Sequence, residues 1–186
     1  MKKEVGSLIQ HQCFDFRSPD YKPSKDYQFC SLHFVYKIKT DLCHKAHLVC
    51  DGSRVDPHGL STRVTVVKGI SVCLLDLIAD AQDLKVLCGD IDNAFIQAST
   101  KEKIYTRYSS EFGPYAGAII VHTLYRLTTS AECFHTMLAD FLRSIGFRPS
   151  RYDRDVLMRT MKTPPNFYFL CFNFSETAVI IFLLKI

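Results

Sequence analysis

The chain has 186 residues, of which 47% are hydrophobic and 23% are charged, and its formal net charge is +4. This composition is that of a globular protein with its own hydrophobic core, and it excludes an intrinsically disordered chain. The small positive charge is compatible with a nucleic-acid partner without requiring one.

Cysteine usage and the N-terminal residues bear on the cellular compartment. The eight cysteines are scattered along the chain, at positions 13, 30, 43, 50, 73, 88, 133 and 171. The N-terminus shows no secretory signal, because only three residues separate Gly6 from the polar Gln10. We therefore expect an intracellular protein that is not secreted and whose thiols are reduced.

The N-terminal part of the chain predicts an irregular arm followed by a β-hairpin. Residues 1–28 are polar, include two prolines and carry no motif, so we expect a poorly ordered arm and one domain over 29–186. Side chains then alternate from Phe29 to Lys39, and a second extended run covers 46–50 after a turn. This alternation on both sides of a turn is typical of two antiparallel strands.

The end of this hairpin contains a cluster of possible metal ligands, namely Cys43, His44, His47 and Cys50. On a helix, Cys43, His47 and Cys50 would share one face. Structural zinc sites usually combine a close cysteine pair with a second, distant pair of ligands, which this segment lacks. Zinc binding is kept as an alternative here, and the β-hairpin is preferred.

The middle of the chain predicts a helix and then a strand. Apolar residues recur at three- and four-residue spacing from Gly69 to Asp83, as in an amphipathic helix. The run 86–88 has the length and β-branched content of a buried strand, and it ends at Gly89 and Asp90. An Asp at the end of a strand is either a turn residue or a ligand for a hard divalent cation, and both interpretations are open.

The C-terminal third predicts a strand at 119–124, a helix at 129–145 and a terminal β-hairpin at 166–186. The helix has a continuous apolar stripe, a capping box formed by Thr129 and Glu132, and Gly146 as its stop. The terminal segment consists of two apolar runs with polar residues between them. Each run is shorter than the ~20 residues that a membrane helix needs, so the hairpin is preferred to a membrane span.

Residues 90–96, DIDNAFI, resemble the first catalytic motif of copia-type retrotransposon reverse transcriptases, which reads Asp-Val-x-Asn-Ala-Phe-Leu. The resemblance implies that Asp90 is a catalytic residue and binds both Mg²⁺ ions of the family's two-ion site. It also implies that Ile91 and Phe95 contact the incoming nucleotide. In the family, the aromatic ring at the position of Phe95 lies under the sugar and excludes a 2′-hydroxyl group.

A second segment, 45–52 (KAHLVCDG), resembles the family's Lys-Ala-Arg-Leu-Val-Ala-x-Gly, in which the Lys and the Arg bind the triphosphate of the nucleotide. The resemblance therefore makes Lys45 and His47 nucleotide-binding residues. His47 stands where the family has Arg. Because a histidine is mostly neutral at pH 7 and lacks the guanidinium fork, we expect a weaker phosphate contact.

Further segments match the family in the same order along the chain, from about residue 30 to residue 176: 102–113, 124–131, 145–150 and 153–158. The segment 124–131 (LYRLTTSA) is similar to Leu-Tyr-Gly-Leu-Lys-Gln-x-Pro, which lies near the nucleotide and the template in the family. Arg126 replaces the Gly of this pattern. A Gly in such a place often allows close approach of another backbone segment.

The fold implied by this resemblance is α+β: the fingers and palm of a right-hand polymerase, with an antiparallel sheet backed by helices and without a thumb. The implied partners are an RNA template, a DNA primer and deoxynucleotides, and the implied cofactor is Mg²⁺. No membrane partner is expected, and no motif indicates a stable protein partner.

The second metal-binding motif departs from the family pattern of paired aspartates on a hairpin. Alignment through 169–171 places Ser175 and Glu176 at these positions. Two-metal catalysis needs several carboxylates around the cations, so we expect a polymerase fragment that is inactive as written, with Glu176 as the remaining metal ligand of the hairpin. The alternatives are an active polymerase whose relaxed site uses Asp90 and Glu176, and a non-catalytic remnant that binds nucleic acid.

Overall fold

A computed structural model describes residues 2–18, 20–38, 42, 44–107, 117–160, 167–173 and 179–184, with residue 160 and the last two ranges described by their backbone. The chain divides into two units, one formed by Met1–Arg63 and Phe95–His135, the other by Val64–Ala94 and Thr136–Ile186. Both units contain helical and strand residues, so the described chain is mixed α and β.

The first unit is built around a four-stranded sheet. Its elements are the helix α1 (Lys2–Gln10) and the strands β1 (Phe14–Arg17), β2 (Gln28–Phe29), β3 (Leu32–Ile38), β4 (His44–Cys50), β6 (Ser99–Arg107) and β7 (Gly117–His122), with 3₁₀ turns at Gly52–Arg54 and Phe95–Gln97. The sheet has the order β1-β7-β6-β2, and only β2 and β6 are parallel. β3 and β4 form a separate two-stranded hairpin.

The core of this unit lies between α1, the sheet and the hairpin. Alternate residues of β6 are buried, among them Ile104 and Thr106, as expected for a strand with one covered face. The large side chains that are fully buried in this core are Leu8, Leu48, Ile96, Ile104, Ile120 and Leu124.

The N-terminal residues differ from the irregular arm expected for 1–28. They form α1, in which Leu8 is 1% exposed and Val5 packs against the same core. β1 also belongs to this segment and pairs with β7. A helix of nine residues with Gly6 near its middle is too short to be stable alone, so its stability comes from burial of this face. The helix propensity of these residues therefore does not predict α1.

The β-hairpin predicted for this region is confirmed. β3 and β4 pair antiparallel from Leu32↔Cys50 to Ile38↔His44. Cys30 and Cys50 form a disulfide, with 6.3 Å between their Cα atoms, so the expectation of reduced thiols fails for this pair. Spacing alone does not reveal which of eight cysteines are neighbours in the fold.

The second unit contains a five-stranded sheet. Its elements are α2 (Gly69–Ala81), β5 (Lys85–Asp90), β8 (Arg148–Pro149), β9 (Val156–Thr160), β10 (Phe167–Asn173) and β11 (Val179–Leu184). The sheet has the order β5-β11-β10-β9-β8, and all neighbours are antiparallel. Leu75 and Ala79 of α2 pack with Val156 of β9. The pairing of β10 with β11 confirms the predicted terminal hairpin.

β5 is exposed, whereas its sequence predicts a buried strand. The strand itself is confirmed, but all six of its residues are exposed, and it lies at the edge of the sheet. The prediction of burial is wrong because an apolar run specifies an extended conformation but not which other elements cover it.

The helix α3 (Ser130–Ser144) confirms the helix predicted over 129–145, and its residues are shared between the two units. Phe134 of the predicted stripe is buried, while Phe141 and Ile145 are exposed. Gly146 has φ of +95°, which is the left-handed conformation of a helix stop. Among the described residues, no helix combines the length and apolar character needed to span a membrane.

Candidate functional site

Asp90 is the last residue of β5, and its side chain is exposed. It lies opposite Val179 in the β5–β11 ladder, and Val179 lies opposite Asn173 in the β10–β11 ladder. Neighbouring strands are about 4.8 Å apart, so Asn173 lies roughly 10 Å from Asp90 across the sheet. The two residues that flank the connection 174–178, Asn173 and Val179, therefore lie at the same end of the sheet as Asp90. Ser175 and Glu176 belong to this connection, outside the described residues.

Asp90 supplies one carboxylate at this end of the sheet. Carboxylate oxygens are the side-chain ligands that Mg²⁺ prefers. In the part of the chain that the structure describes, no group of three or more His, Cys, Asp or Glu side chains could hold a metal ion. The side chains that the structure describes therefore do not provide enough ligands for a two-ion site. The same is true of the zinc alternative, and Cys43, one of its candidate ligands, lies outside the described residues.

The chain turns after Asp90. Ile91 is half-buried, and Asn93 has φ of +55°, a left-handed conformation that Asn adopts more readily than most residues. Ile91 belongs to the second unit, whereas Phe95 begins a segment of the first. The two motif residues predicted to contact a nucleotide are thus in different units.

Phe95 is half-buried in a cluster of aromatic rings. Its ring meets those of Tyr125 and Phe134 edge-on, with centroid distances of 5.7 and 6.3 Å. Such pairs stabilise a structure by about 0.5–1.5 kcal/mol beyond burial. The turn that carries Phe95 is fixed as well, because the hydroxyl of Thr123 donates to the carbonyl oxygen of Phe95. A ring fixed in this way suits both a residue of the core and a platform beneath a sugar, so the geometry is compatible with either role for Phe95.

β4 carries the two residues predicted to bind the triphosphate. Lys45 is exposed and lies opposite Lys37, so two ammonium groups share one face of the hairpin. His47 faces the same side two residues further along. Its ring lies 4.6 Å from the ring of Tyr125, and its Nδ1 lies 3.4 Å from Oε1 of Glu4. His47 is therefore enclosed by neighbours, whereas Lys45 is open to solvent.

Tyr125 connects the predicted residues of the first unit. Its ring contacts both His47 and Phe95, and its carbonyl oxygen accepts a hydrogen bond of 3.0 Å from the N–H of Cys50. The resemblance predicts that the segment around Tyr125 lies near the nucleotide, but it does not single out this residue. The signal in the sequence that could have identified Tyr125 is its position next to Arg126, where the family pattern has Gly.

Arg126 adopts φ of +67°, a conformation that favours glycine. Its carbonyl oxygen meets the backbone of Gly52 so closely that a Cβ atom at Gly52 would lie 2.2 Å from it. Two backbone segments therefore approach each other closely at Arg126, although the family pattern has Gly at this position. The side chain of Arg126 is exposed.

Buried carboxylates outside the predicted set hold the starts of two helices. Asp153 accepts hydrogen bonds from the Ser71 hydroxyl at 2.6 Å and from the N–H of Lys68 at 2.9 Å, both at the start of α2. Burial raises the pKa of Asp153, but these hydrogen bonds outweigh it and hold the pKa below its usual range. Glu102 accepts a hydrogen bond from the hydroxyl of Thr129 at the start of α3. The sequence predicts instead that Thr129 forms a capping box with Glu132.

Comparisons with protein-family models, with curated proteins and with solved structures find no match for this chain. The resemblance to copia-type reverse transcriptases therefore stays a prediction that rests on the motifs, and the polymerase fold that it implies stays one too.

Proposed function

We propose that the chain is a fingers-and-palm fragment of a copia-type reverse transcriptase, which acts inside the cell, binds primed template and nucleotide, and does not polymerise as written. The observation that best supports this proposal is the register at the end of β5. A polymerase palm needs a strand that ends in Asp beside a hairpin. In this chain Asp90 lies opposite Val179, the first residue of β11 after the connection 174–178.

In this proposal Asp90 and Glu176 are the acidic residues, Lys45 and His47 hold the triphosphate, and Phe95 lies under the sugar. Asp90 and Glu176 would hold Mg²⁺, which would supply Lewis-acid activation of the primer 3′-hydroxyl and charge neutralisation of the pyrophosphate. Ser175 removes one of the carboxylates expected at this centre. That loss acts on the transition state, so a higher nucleotide concentration does not compensate for it.

Primer extension on a primed RNA template, with Mg²⁺ or Mn²⁺, tests the proposal. We expect no extension by the chain as written and recovery in the double variant Ser175→Asp with Glu176→Asp. The single variant His47→Arg should recover less, because its phosphate contact is worth about 1.5–3 kcal/mol and nucleotide concentration partly replaces it. Adding Asp90→Asn to the recovered variant should abolish extension.

The outcomes separate the parts of the proposal. Robust extension by the unmodified chain would show that 174–178 is misaligned with the second metal motif. No recovery in the double variant, together with no binding of primed template, would contradict the assignment to reverse transcriptases. In a recovered variant, Phe95→Ala should admit ribonucleotides, and unchanged sugar discrimination would leave Phe95 with a packing role alone.

A second candidate function, non-catalytic binding of single-stranded nucleic acid, is favoured by the surface of the β3–β4 hairpin. Lys37 and Lys45 lie opposite each other on one face, and Tyr36 and Ile38 on the other face are 67% and 61% exposed. Basic side chains and exposed aromatic rings are the two features that binding without sequence preference uses, and the hairpin carries one on each face. A gel-shift series between about 50 and 200 mM salt should show weakening binding, and Tyr36→Ala and Lys45→Ala should each reduce it. Binding that ignores salt and both variants would exclude this function.

A further inference from the structure

The N-terminal helix places a carboxylate against the hairpin strand that carries the predicted phosphate ligands. α1 is held in place by Leu8, which is 1% exposed, and by Val5, which packs on the same core. Glu4 precedes these residues and faces β4, where Oε1 lies 3.4 Å from Nδ1 of His47 and accepts a hydrogen bond of 3.4 Å from the N–H of Leu48. The packing of α1 therefore holds the backbone of Glu4 beside β4.

The contact between Glu4 and His47 is shielded from solvent. Their side chains are 14% and 23% exposed, and Nδ1 of His47 is itself buried and makes no hydrogen bond within the described residues. Tyr125 covers the ring of His47 at 4.6 Å. A charge in such a place is screened less by salt than a charge at the surface.

The pair of Glu4 and His47 offers a polyphosphate no net positive charge in either protonation state of the imidazole. When His47 is neutral, the pair carries the single negative charge of Glu4, and when His47 is protonated, the two charges cancel. In neither state does the pair carry a net positive charge, because the carboxylate of Glu4 offsets whatever charge the imidazole has. Lys45, about 7 Å away on the same face, is then the cation that remains for a phosphate group.

We propose that Glu4 weakens anion binding at the hairpin: its carboxylate competes with phosphate at His47 and so lowers the affinity for the triphosphate of a nucleotide. This inference rests on the proposed function, because it concerns the same phosphate-binding residues. It assigns to α1 a role in binding that nothing in the motifs indicates. Glu4 acts through His47 and is therefore a positioning residue, which does not itself contact the ligand.

Calorimetric titration with inorganic tripolyphosphate, at one pH and low salt, tests the inference on the full chain. Glu4→Gln removes the charge while its side-chain oxygen still accepts from Leu48, so we expect about three- to tenfold tighter binding, as for loss of one partly buried like charge. Glu4→Asp keeps the carboxylate and should bind as weakly as the unmodified chain. Asp20→Asn, which neutralises an exposed acid of the same unit, is the matched control and should change little.

Lys45→Ala separates the inference from the function on which it rests. This variant should weaken binding whatever Glu4 does, because Lys45 belongs to the proposed nucleotide site. If Lys45→Ala weakens binding and Glu4→Gln does not change it, the role of Glu4 is refuted while the nucleotide site stands. If no variant binds tripolyphosphate, or if Lys45→Ala has no effect, both are refuted.

Two further results also decide the question. Equal gains from Glu4→Gln and Asp20→Asn would reduce the effect to net charge and overturn the inference. Thermal melts check that each variant folds, and Glu4→Ser serves as a second neutral variant if Glu4→Gln melts early. Tighter binding by both neutral variants, with Glu4→Asp unchanged, is the result that the inference requires.

Discussion

Replacement of Arg126 by Gly should stabilise the protein, although it removes a long side chain. Arg126 has φ of +67°, and its side chain is exposed. A residue with a Cβ atom loses about 1–2 kcal/mol in this left-handed conformation, and Gly does not. Because Gly also makes the unfolded chain more flexible, which offsets about 0.4–1 kcal/mol, the net gain should be roughly 0.5–1 kcal/mol.

Thermal unfolding followed by far-ultraviolet circular dichroism measures this gain. For a chain of this length, 0.5–1 kcal/mol corresponds to a rise of about 1–4 °C in the midpoint. Arg126→Ala is the first control, because Ala retains the Cβ atom and should leave the midpoint nearly unchanged. Thr128→Gly is the second, because Thr128 is exposed and has no positive φ, so it should lose stability.

The reasoning fails if Arg126→Ala gains as much as Arg126→Gly, because the gain would then come from loss of the side chain. It fails also if Arg126→Gly is destabilised as much as Thr128→Gly, since the left-handed conformation would then carry no penalty that Gly could relieve.

Gly52→Ala should lower stability by about 1–3 kcal/mol in urea unfolding, because its Cβ atom would lie 2.2 Å from the carbonyl oxygen of Arg126, and an unchanged midpoint would contradict this contact. Reduction of the Cys30–Cys50 disulfide with a dithiol should lower stability by about 3 kcal/mol, and equal melting of the oxidised and reduced chains would argue against this cross-link. Asp153 has a lowered pKa in the folded state, so its contribution is present above the unfolded value of about 3.9 and is lost as the pH falls through the lower folded value. Asp153→Asn should therefore melt earlier than the unmodified chain near neutral pH, with a difference that shrinks in acid, and a difference independent of pH would show that charge is not involved.

Elements with a strong local signal could be predicted from the sequence. The hairpin β3–β4 follows from alternation around a turn, and α3 follows from its apolar period and from Gly146, whose φ of +95° matches the expected stop. Asp90 was expected at the end of a strand, and β5 does end there.

Features that depend on tertiary contacts could not be predicted in this way. α1 forms because Leu8 is buried by strands that are distant in sequence. The exposure of β5 depends on its edge position, which its own residues do not specify. Likewise, the contact between Glu4 and His47 joins two segments of which only one carries a motif.

The order in which the chain is synthesised has a particular consequence for the first unit. β7 lies between β1 and β6 in the sheet, and it pairs Ile120 with Phe14 at the other end of the unit's sequence. A nascent chain therefore holds β1 without a neighbour in this sheet until β7 has left the ribosome, long after the hairpin β3–β4 can close. A truncated chain that ends within 64–94 contains every residue of α1 and the hairpin but lacks β6 and β7, the two central strands of the sheet. Such a product would expose the core face of α1 and should be the form that cellular proteases remove first.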